Sequence, residues 1–469
     1  MRIQKRIFRA TREGNFKQVK KLQKLLSGSR EAILLSIRRV TQINRGRFTS
    51  GVDGKVYRTN EEREMLACEI LNTKLKVYRC APVRRVRIPK PGKMEKRPLG
   101  IPTIRDRVFQ MIVKLALEPE WEAKFERNSY GFRPGRRCMD AVTQIRINIV
   151  DRKGYTSSSW ILDADISKCF DSIDHEALLQ KIPVFTSIIR QWLKAGVVEF
   201  GQYYMTKAGT PQGGIISPLL ANIALDGMER LFGSIRSSGK YAVPSQRRGN
   251  DKGIGVIRYA DDFVITAPTR ERIVNYVIPK IRDFLGSVGL TLSGAKTRIV
   301  HRDEGLDFLG FTIREFVGKR VRACLVQPSK VRIAYHLNRV KSLLDENKQA
   351  TQAEIIDMLN PILRGWASYY KYANSKKVFS YVDYRMWVML WQWCRRRHER
   401  EGKGARWIVS KYFRRVRTRY WTFADAPEHA LFYAGDMKLS MFRYVKVKGE
   451  ASPFDPELNE YWFKRQKME

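Results

Sequence analysis

Two short apolar runs, Val256-Ile257-Arg258-Tyr259 and Phe263-Val264-Ile265-Thr266, are separated only by Ala260-Asp261-Asp262. Runs this short and this close predict the two strands of a tight hairpin, with adjacent carboxylates at its turn. Neighbouring carboxylates repel, and a chain keeps them mainly where solvent or a cation takes up the charge. A third apolar run, Trp160-Ile161-Leu162-Asp163-Ala164-Asp165-Ile166, ends in acids 96 residues before Asp261. If it lies beside the hairpin in one sheet, Asp165 and Asp261 meet at the sheet edge. That makes an oxygen-rich site of the kind Mg²⁺ prefers. Two such ions about 3.5–4 Å apart would hold the attacking and leaving oxygens of a phosphoryl transfer. Asp163 alternates with Asp165 and shares its face, so it is a further, weaker candidate. Alone, Asp-Asp marks an ordinary polar turn; its place between apolar strands, after a strand-borne acid, favours the metal.

Between the two acidic elements lies Gly209-Thr210-Pro211-Gln212-Gly213-Gly214, followed by Ile215-Ile216-Ser217-Pro218. The glycines leave backbone open to close approach by a ligand, and Gln212 can donate and accept at a base or sugar edge. Ser217 before Pro218 predicts a capped helix start.

Charge then narrows the partner. With 89 Lys+Arg against 47 Asp+Glu the chain carries a formal +42, a self-repulsion that a polyanion offsets most readily. Nucleic acid is the first candidate and an anionic membrane surface the second. The longest uncharged run, Ala208 to Leu225, is broken by Pro211 and Pro218, which excludes a membrane span. Six cysteines with no two closer than twelve positions form neither a zinc ribbon nor a disulfide scaffold, and predict a reducing, intracellular setting.

Texture divides the chain. Residues 4–43 read helical, and Lys76 to Arg107 holds eleven Lys/Arg and two acids on a predicted basic β-hairpin. From Arg385 to Tyr420, twelve Lys/Arg and two Glu are interleaved with Trp387, Trp391, Trp393 and Trp407. Basic groups neutralise phosphates while rings stack on bases, although helical spacing assigns at least two of these tryptophans to a core. The predicted segments are 1–150, 151–315, 316–396 and a basic region at 397–469, to which the resemblance described next assigns DNA binding.

The chain resembles the group II intron-encoded reverse transcriptases with maturase activity. Asp165-Ile166 with Phe170, Gly209 to Pro218 and Tyr259-Ala260-Asp261-Asp262 resemble their first three catalytic motifs. Leu290 to Ser293 with Lys296-Thr297, and Phe308-Leu309-Gly310-Phe311, resemble the next two. Thr49 to Gly54, Ile88-Pro89-Lys90, Arg97 to Pro102 and Ser129-Tyr130-Gly131-Phe132-Arg133-Pro134 resemble the finger blocks. Leu359 to Trp366 with Tyr369-Tyr370 resembles the maturase thumb. Ser293 stands where many members carry Asn.

The resemblance implies an α+β right-hand polymerase: fingers, a palm with a ferredoxin-like split βαβ sheet, and a helical thumb, followed by a small DNA-binding region. It assigns two Mg²⁺ ions to Asp165, Asp261, Asp262 and the Ile166 backbone, and proton donation to Lys296. Lys90 and Arg97 would meet the incoming dNTP, with Phe170 against its sugar and Gln212 nearby. Arg133, Arg364, Arg395, Arg396, Arg414 and Arg415 would bind nucleic acid, although Arg133 is equally suited to structural pairing. Implied partners are the intron RNA, target DNA and dNTPs, with no membrane, in a bacterial cytoplasm; a homodimer is left open. The stretch Val445 to Asp455 resembles the lead-in to a cysteine-bearing endonuclease, and the nuclease itself is expected to be missing. The competing readings are a splicing cofactor with secondary polymerase activity and a defence or diversity-generating reverse transcriptase.

Overall fold

The computed structural model describes every residue except 74, 76, 90–93, 95, 151–157, 237–238, 318–321, 441–443 and 469. Its strands in chain order are β1 (Val83–Pro89), β2 (Lys96–Ile101), β3 (Trp160–Asp165), β4 (Val197–Glu199), β5 (Gln202–Tyr204), β6 (Gly255–Tyr259) and β7 (Asp262–Ala267). There follow β8 (Arg298–His301), β9 (Leu306–Phe308), β10 (Phe311–Val317), β11 (Arg322–Pro328), β12 (Phe413–Val416) and β13 (Arg419–Phe423). The chain forms two compact units. The first holds Met1–Val300 together with Val447–Lys467; the second holds His301–Lys446. The last basic stretch is thus divided: residues 447–467 go with the N-terminal unit.

In the first unit the residues expected to be helical form three helices, Arg2–Arg12, Phe16–Ser27 and Arg30–Arg38, running into a π-helical turn at Arg39–Ile43. Local capping causes the breaks. Asn15 accepts from the Gln18 amide and Ser29 from the Ala32 amide, so each restarts a helix inside a continuous apolar pattern. Ile7, Val19, Leu22 and Leu26 pack with Leu115 and Ala116 of the long helix Ile104–Lys124. The basic hairpin is present, with β1 antiparallel to β2 from Arg84↔Ile101 to Pro89↔Lys96.

The central sheet has the order β6-β7-β3-β8. β3 is followed by helices, then by the β6–β7 hairpin, the helix Ile278–Gly286 and β8. This connectivity, β-α-β-β-α-β with the first strand between the third and the fourth, places the end of β3 beside the β6–β7 turn. Ile161, Leu162, Val256, Ile257, Val264 and Ile265 are at most 2% exposed, so apolar side chains fill the sheet on both faces and leave its acidic edge as the polar part.

The 447–467 segment is tied to this unit by a buried charge pair. Arg465 donates to both oxygens of Asp140 at 2.9 Å, and Asp140 also accepts from the Val447 amide at 2.7 Å.

The second unit sets the antiparallel sheet β11-β10-β9 alongside the helices Lys330–Glu346, Gln352–Tyr370, Lys376–Arg397 and Ala405–Tyr412. Leu337, Val340, Leu359, Leu363, Met386, Leu390, Trp393 and Ile408 share its core. Two resembling blocks meet here: the Tyr369 hydroxyl donates to the Leu309 carbonyl (2.9 Å) and the Tyr370 hydroxyl to the Gly310 carbonyl (3.1 Å). Among the described residues no helix is long and apolar enough to cross a membrane.

Candidate active site

Along β3 the side chains alternate: Leu162 and Ala164 are buried, whereas Asp163 and Asp165 face the polar side. The β3–β7 register sets Asp165 directly opposite Asp262, which puts the two carboxylates on one face of the sheet. Asp261 precedes Asp262 in the turn, after Ala260 at a left-handed φ of +59°. The strand, the hairpin and the meeting of acids expected from sequence are therefore all present, with Asp262 rather than Asp261 as the register partner.

The turn is held from beneath by groups that pattern reading does not single out. Arg258, 2% exposed, donates from one terminal nitrogen to the Ala260 carbonyl (3.1 Å) and to Asn222 Oδ1 (2.8 Å). Asn222 in turn donates to the Gly131 carbonyl at 2.8 Å. The Tyr130 amide bonds the Arg258 carbonyl, and the Arg258 amide bonds the Asn128 carbonyl. The block around Ser129-Tyr130-Gly131 thus runs beside β6. A Cβ on Gly131 would stand 2.3 Å from the Ala260 nitrogen, so only glycine fits.

Charge at the edge is concentrated. Burial pushes Asp262 up to about 6, with Asp261, Asp165 and Asp163 adding repulsion. Burial also raises Asp261, aided by Asp165, while Arg97 and Lys296 pull the other way. The Lys296 ammonium donates to Asp165 Oδ2, a bond that raises the lysine above its ordinary value. Arg298 donates to Asp163 Oδ2 at 2.8 Å, which takes Asp163 up as its partner.

These donors suit a hard divalent cation. All are carboxylate oxygens, and the local excess of negative charge is what such an ion relieves. Among the described residues, no group of three or more acids, histidines or cysteines is arranged to hold a metal ion by itself. Mg²⁺ needs none, because it keeps waters and substrate phosphates beside one or two carboxylates. Ile166 has its side chain in the core at 3% exposure. The bonds flanking it, Ser167 amide to Thr291 carbonyl and Ser293 amide to Asp165 carbonyl, belong to the neighbouring residues. Its own carbonyl therefore points away from Leu292, its bridge partner.

The glycine-rich loop packs onto the turn after β3. Gly209, at φ +85°, lies so close to Phe170 and Asp171 that a Cβ would meet their backbone at 2.6 Å. The Thr210 amide bonds the Phe170 carbonyl and the Gly209 amide the Ile173 carbonyl, while His175 Nε2 lies 2.8 Å from the Gly209 carbonyl. Phe170 is half-buried against the core. The Gln212 carbonyl accepts from the Gly100 amide at 3.1 Å, which joins the loop to β2. Ser217 does not cap the following helix. It lies within it, and its hydroxyl donates to the Pro211 carbonyl at 2.8 Å, closing the loop instead. Arg97 on β2 is exposed; Lys90 lies outside the described residues.

Of the nucleic-acid candidates, Arg364, Arg395, Arg396, Arg414 and Arg415 are exposed. Arg133 is not. At 5% exposure it grips both oxygens of Glu122 (2.8 and 3.0 Å) and donates to the Glu126 and Ser129 carbonyls. It braces its own loop, and no face of it is left for a template. Among the tryptophans, Trp393 is core at 5% exposure, whereas Trp387, Trp391 and Trp407 only pack against that core.

Comparison with known proteins bears on all of this. The chain matches the family "Reverse transcriptase (RNA-dependent DNA polymerase)" over residues 88–313. It also matches "Group II intron, maturase-specific domain" over 333–413 and "N-terminal domain of reverse transcriptase" over 1–70. It is 35% identical over 298 residues to Protein YkfC of Escherichia coli (strain K12), covering 58% of this chain and 77% of that protein. It is 28% identical over 422 residues to the Group II intron-encoded protein LtrA of Lactococcus lactis subsp. cremoris, covering 73% and 69%.

Proposed function

The chain belongs to the group II intron-encoded reverse transcriptases with a maturase-specific domain and is an RNA-directed DNA polymerase; from that premise we propose how its residues share the work. The observation that carries the reading is the Asp165–Asp262 register pair with Asp261 in the adjoining turn. In this reading residues 1–150 form an N-terminal extension and fingers, 151–315 the palm and 316–396 the thumb of a right-handed polymerase, with 397–469 a basic DNA-binding region.

Asp165, Asp261 and Asp262, with the Ile166 carbonyl, hold two Mg²⁺ ions. When bound, the ions supply Lewis acidity at the primer hydroxyl and charge neutralisation on the transferred phosphate. Arg97, together with Lys90, grips the triphosphate through charge-assisted hydrogen bonds. Phe170 fills the space a ribose 2′-hydroxyl would need, and the Gly209–Thr210 backbone fixes where its ring stands. Gln212 contacts the nucleotide from the loop joined to β2. Lys296, 59% exposed beside Asp165, is placed to give a proton to the leaving pyrophosphate.

The maturase-specific domain and the likeness to LtrA imply binding to group II intron RNA. The exposed Arg364, Arg395, Arg396, Arg414 and Arg415 provide cations for it and for the target DNA. On this reading the protein assists splicing and copies the intron into DNA during retrohoming, in a bacterial cytoplasm.

Asp261→Asn removes one carboxylate charge from the site. Primer extension on an RNA template should fall roughly a thousandfold, the scale of several kcal/mol of transition-state charge stabilisation. Splicing assistance should persist. Near-normal cDNA synthesis by the variant would defeat the metal assignment.

A further inference from the structure

The second unit holds a cavity of about 550 Å³ to which the polymerisation chemistry assigns nothing. Its size is in the range of sites that take one small organic group. The walls come from the helix Lys376–Arg397 and from β13. Trp387 stacks on Trp391 one turn away (5.7 Å, 13° between planes) and on Trp421 across the unit (6.0 Å, 20°). The three indoles make one near-parallel row that begins on the core and ends in solvent. Trp421 is 55% exposed, and its neighbours on the rim, Tyr420 and Tyr384, are 66% and 63% exposed. Large rings gathered on one rim and left in water mark a contact surface.

Two further features say what the rim meets. First, the β12–β13 hairpin carries exposed Arg414, Arg415 and Arg417 with no acid between Phe413 and Phe423, and the Arg415 guanidinium sits 4.7 Å from the Tyr420 ring centre. A neutral or cationic occupant has no counterpart there, whereas a phosphate-bearing one does. Second, the charged groups of the inner wall are already used. Asp383 accepts from the Ala434 and Gly435 amides at 2.8 Å each. Arg419 grips Asp436 and lies 4.4 Å from the Tyr433 ring centre. The cavity thus offers mainly ring faces, and stacking on them takes any flat ring.

We propose that this cavity takes one unpaired base of a single-stranded nucleic acid, stacked on Trp421 and Tyr420 while Arg414, Arg415 and Arg417 neutralise the flanking phosphates. The proposal rests on the reading that the second unit binds nucleic acid, and adds that it tells unpaired from paired strands. A base inside a duplex has both faces covered and cannot enter.

The test uses the full-length chain and short labelled oligonucleotides of one sequence, as single-stranded RNA, as single-stranded DNA and as the corresponding duplexes. Trp421→Ala and Tyr420→Ala should each weaken single-strand binding about tenfold and leave duplex binding unchanged, while Trp421→Phe retains most of the affinity. A strand lacking its bases should bind wild type as weakly as the intact strand binds Trp421→Ala. The RNA and DNA arms show which strand the site serves. Arg414→Ala with Arg415→Ala should weaken single strands and duplexes alike and flatten the salt dependence. If the arginine changes weaken binding but Trp421→Ala and Tyr420→Ala do not, the base site is wrong and the basic surface stands. If neither set has an effect, both fall. If Trp421→Ala weakens duplexes as much as single strands, the ring supports the fold and the base site is likewise overturned.

Discussion

The first unit gathers its acids at one sheet edge and braces them from a buried core, whereas the second displays its working groups. Around β3 and the β6–β7 turn, Asp261 and Asp262 are raised by burial and mutual repulsion, and a buried Arg258 holds the turn carbonyl. In the second unit an apolar core of helices carries Arg414, Arg415, Tyr420 and Trp421 on its outside. The difference follows from the tasks. Phosphoryl transfer needs charges fixed in place with little water between them, which costs stability that the surrounding fold must supply. Gripping a nucleic acid needs cations and rings within reach of a flexible polymer, and these cost the fold almost nothing. Substitutions in the first unit should therefore couple folding to activity, and those on the second should separate them.

The largest effect is expected where the first unit relies on a buried charge pair far along the chain from its partner. Arg465→Met leaves the carboxylate of Asp140, whose side chain is fully buried, without its guanidinium. The loss should be about 3–5 kcal/mol. Denaturant unfolding measures it, and the double variant Arg465→Met/Asp140→Leu should recover much of the loss. A change below about 1 kcal/mol, the range of exposed pairs, would mean that residues 447–467 are not part of the first unit's stability.

Next in size is Gly131→Ala. The added methyl has only backbone to push against, at 2.3 Å, so the Tyr259–Ala260 peptide and the adjoining Asp261 must move. A displacement near 1 Å costs on the order of a hundredfold in rate. Primer extension should fall by about that factor with the circular dichroism unchanged. Undiminished extension would show that the turn tolerates movement and that the first unit is less tightly coupled than its geometry says.

How much of this was legible in the sequence depends on what each residue does. The acidic strand and hairpin were, because period-two apolar runs and a two-acid turn encode both the sheet edge and its charge. So was the basic hairpin. The helical character of residues 4–43 is legible too, but not where one helix stops and the next begins, since Asn15 and Ser29 act through single capping bonds that leave the apolar period intact. Arg133 and Arg258 have the composition of surface cations, and only the tertiary fold shows Glu122 and the Ala260 carbonyl waiting for them. Trp421 went unread for the opposite reason. Helical spacing draws attention to Trp387, Trp391 and Trp393, whereas Trp421 stands on a strand and joins their row only through folding.

Phe170→Ala tests a smaller, more local part of the first unit. The ring stands on a turn whose backbone is held by Gly209 and Thr210, so removing it should open space without moving the acids. Discrimination against ribonucleotides should drop by about 10–100-fold, the scale of losing one steric contact in a pocket, while dNTP incorporation stays within a few-fold of wild type. Comparing single-nucleotide incorporation of rNTPs and dNTPs decides it; unchanged discrimination would return Phe170 to the core.

The smallest effect is the one that tests the comparison most directly. Ser329 starts the helix Lys330–Glu346 in the second unit: its side chain accepts from the Arg332 amide, and it is 3% exposed. Ser329→Ala leaves that amide without its side-chain partner, for a loss of about 1 kcal/mol. For a unit of this size that lowers the melting temperature by roughly 2–4 °C. Ser329→Asp keeps an acceptor at the same place and should restore most of it. No catalytic group touches this helix start, so primer extension at a temperature well below the transition should match wild type. Gly131→Ala differs: there a single methyl pressed into backbone should cost activity and stability together, whereas here a single hydroxyl should cost stability and no activity. If Ser329→Ala instead lowered extension at low temperature as Gly131→Ala does, the second unit would be part of the catalytic geometry and the division drawn between buried chemistry and displayed binding would fail.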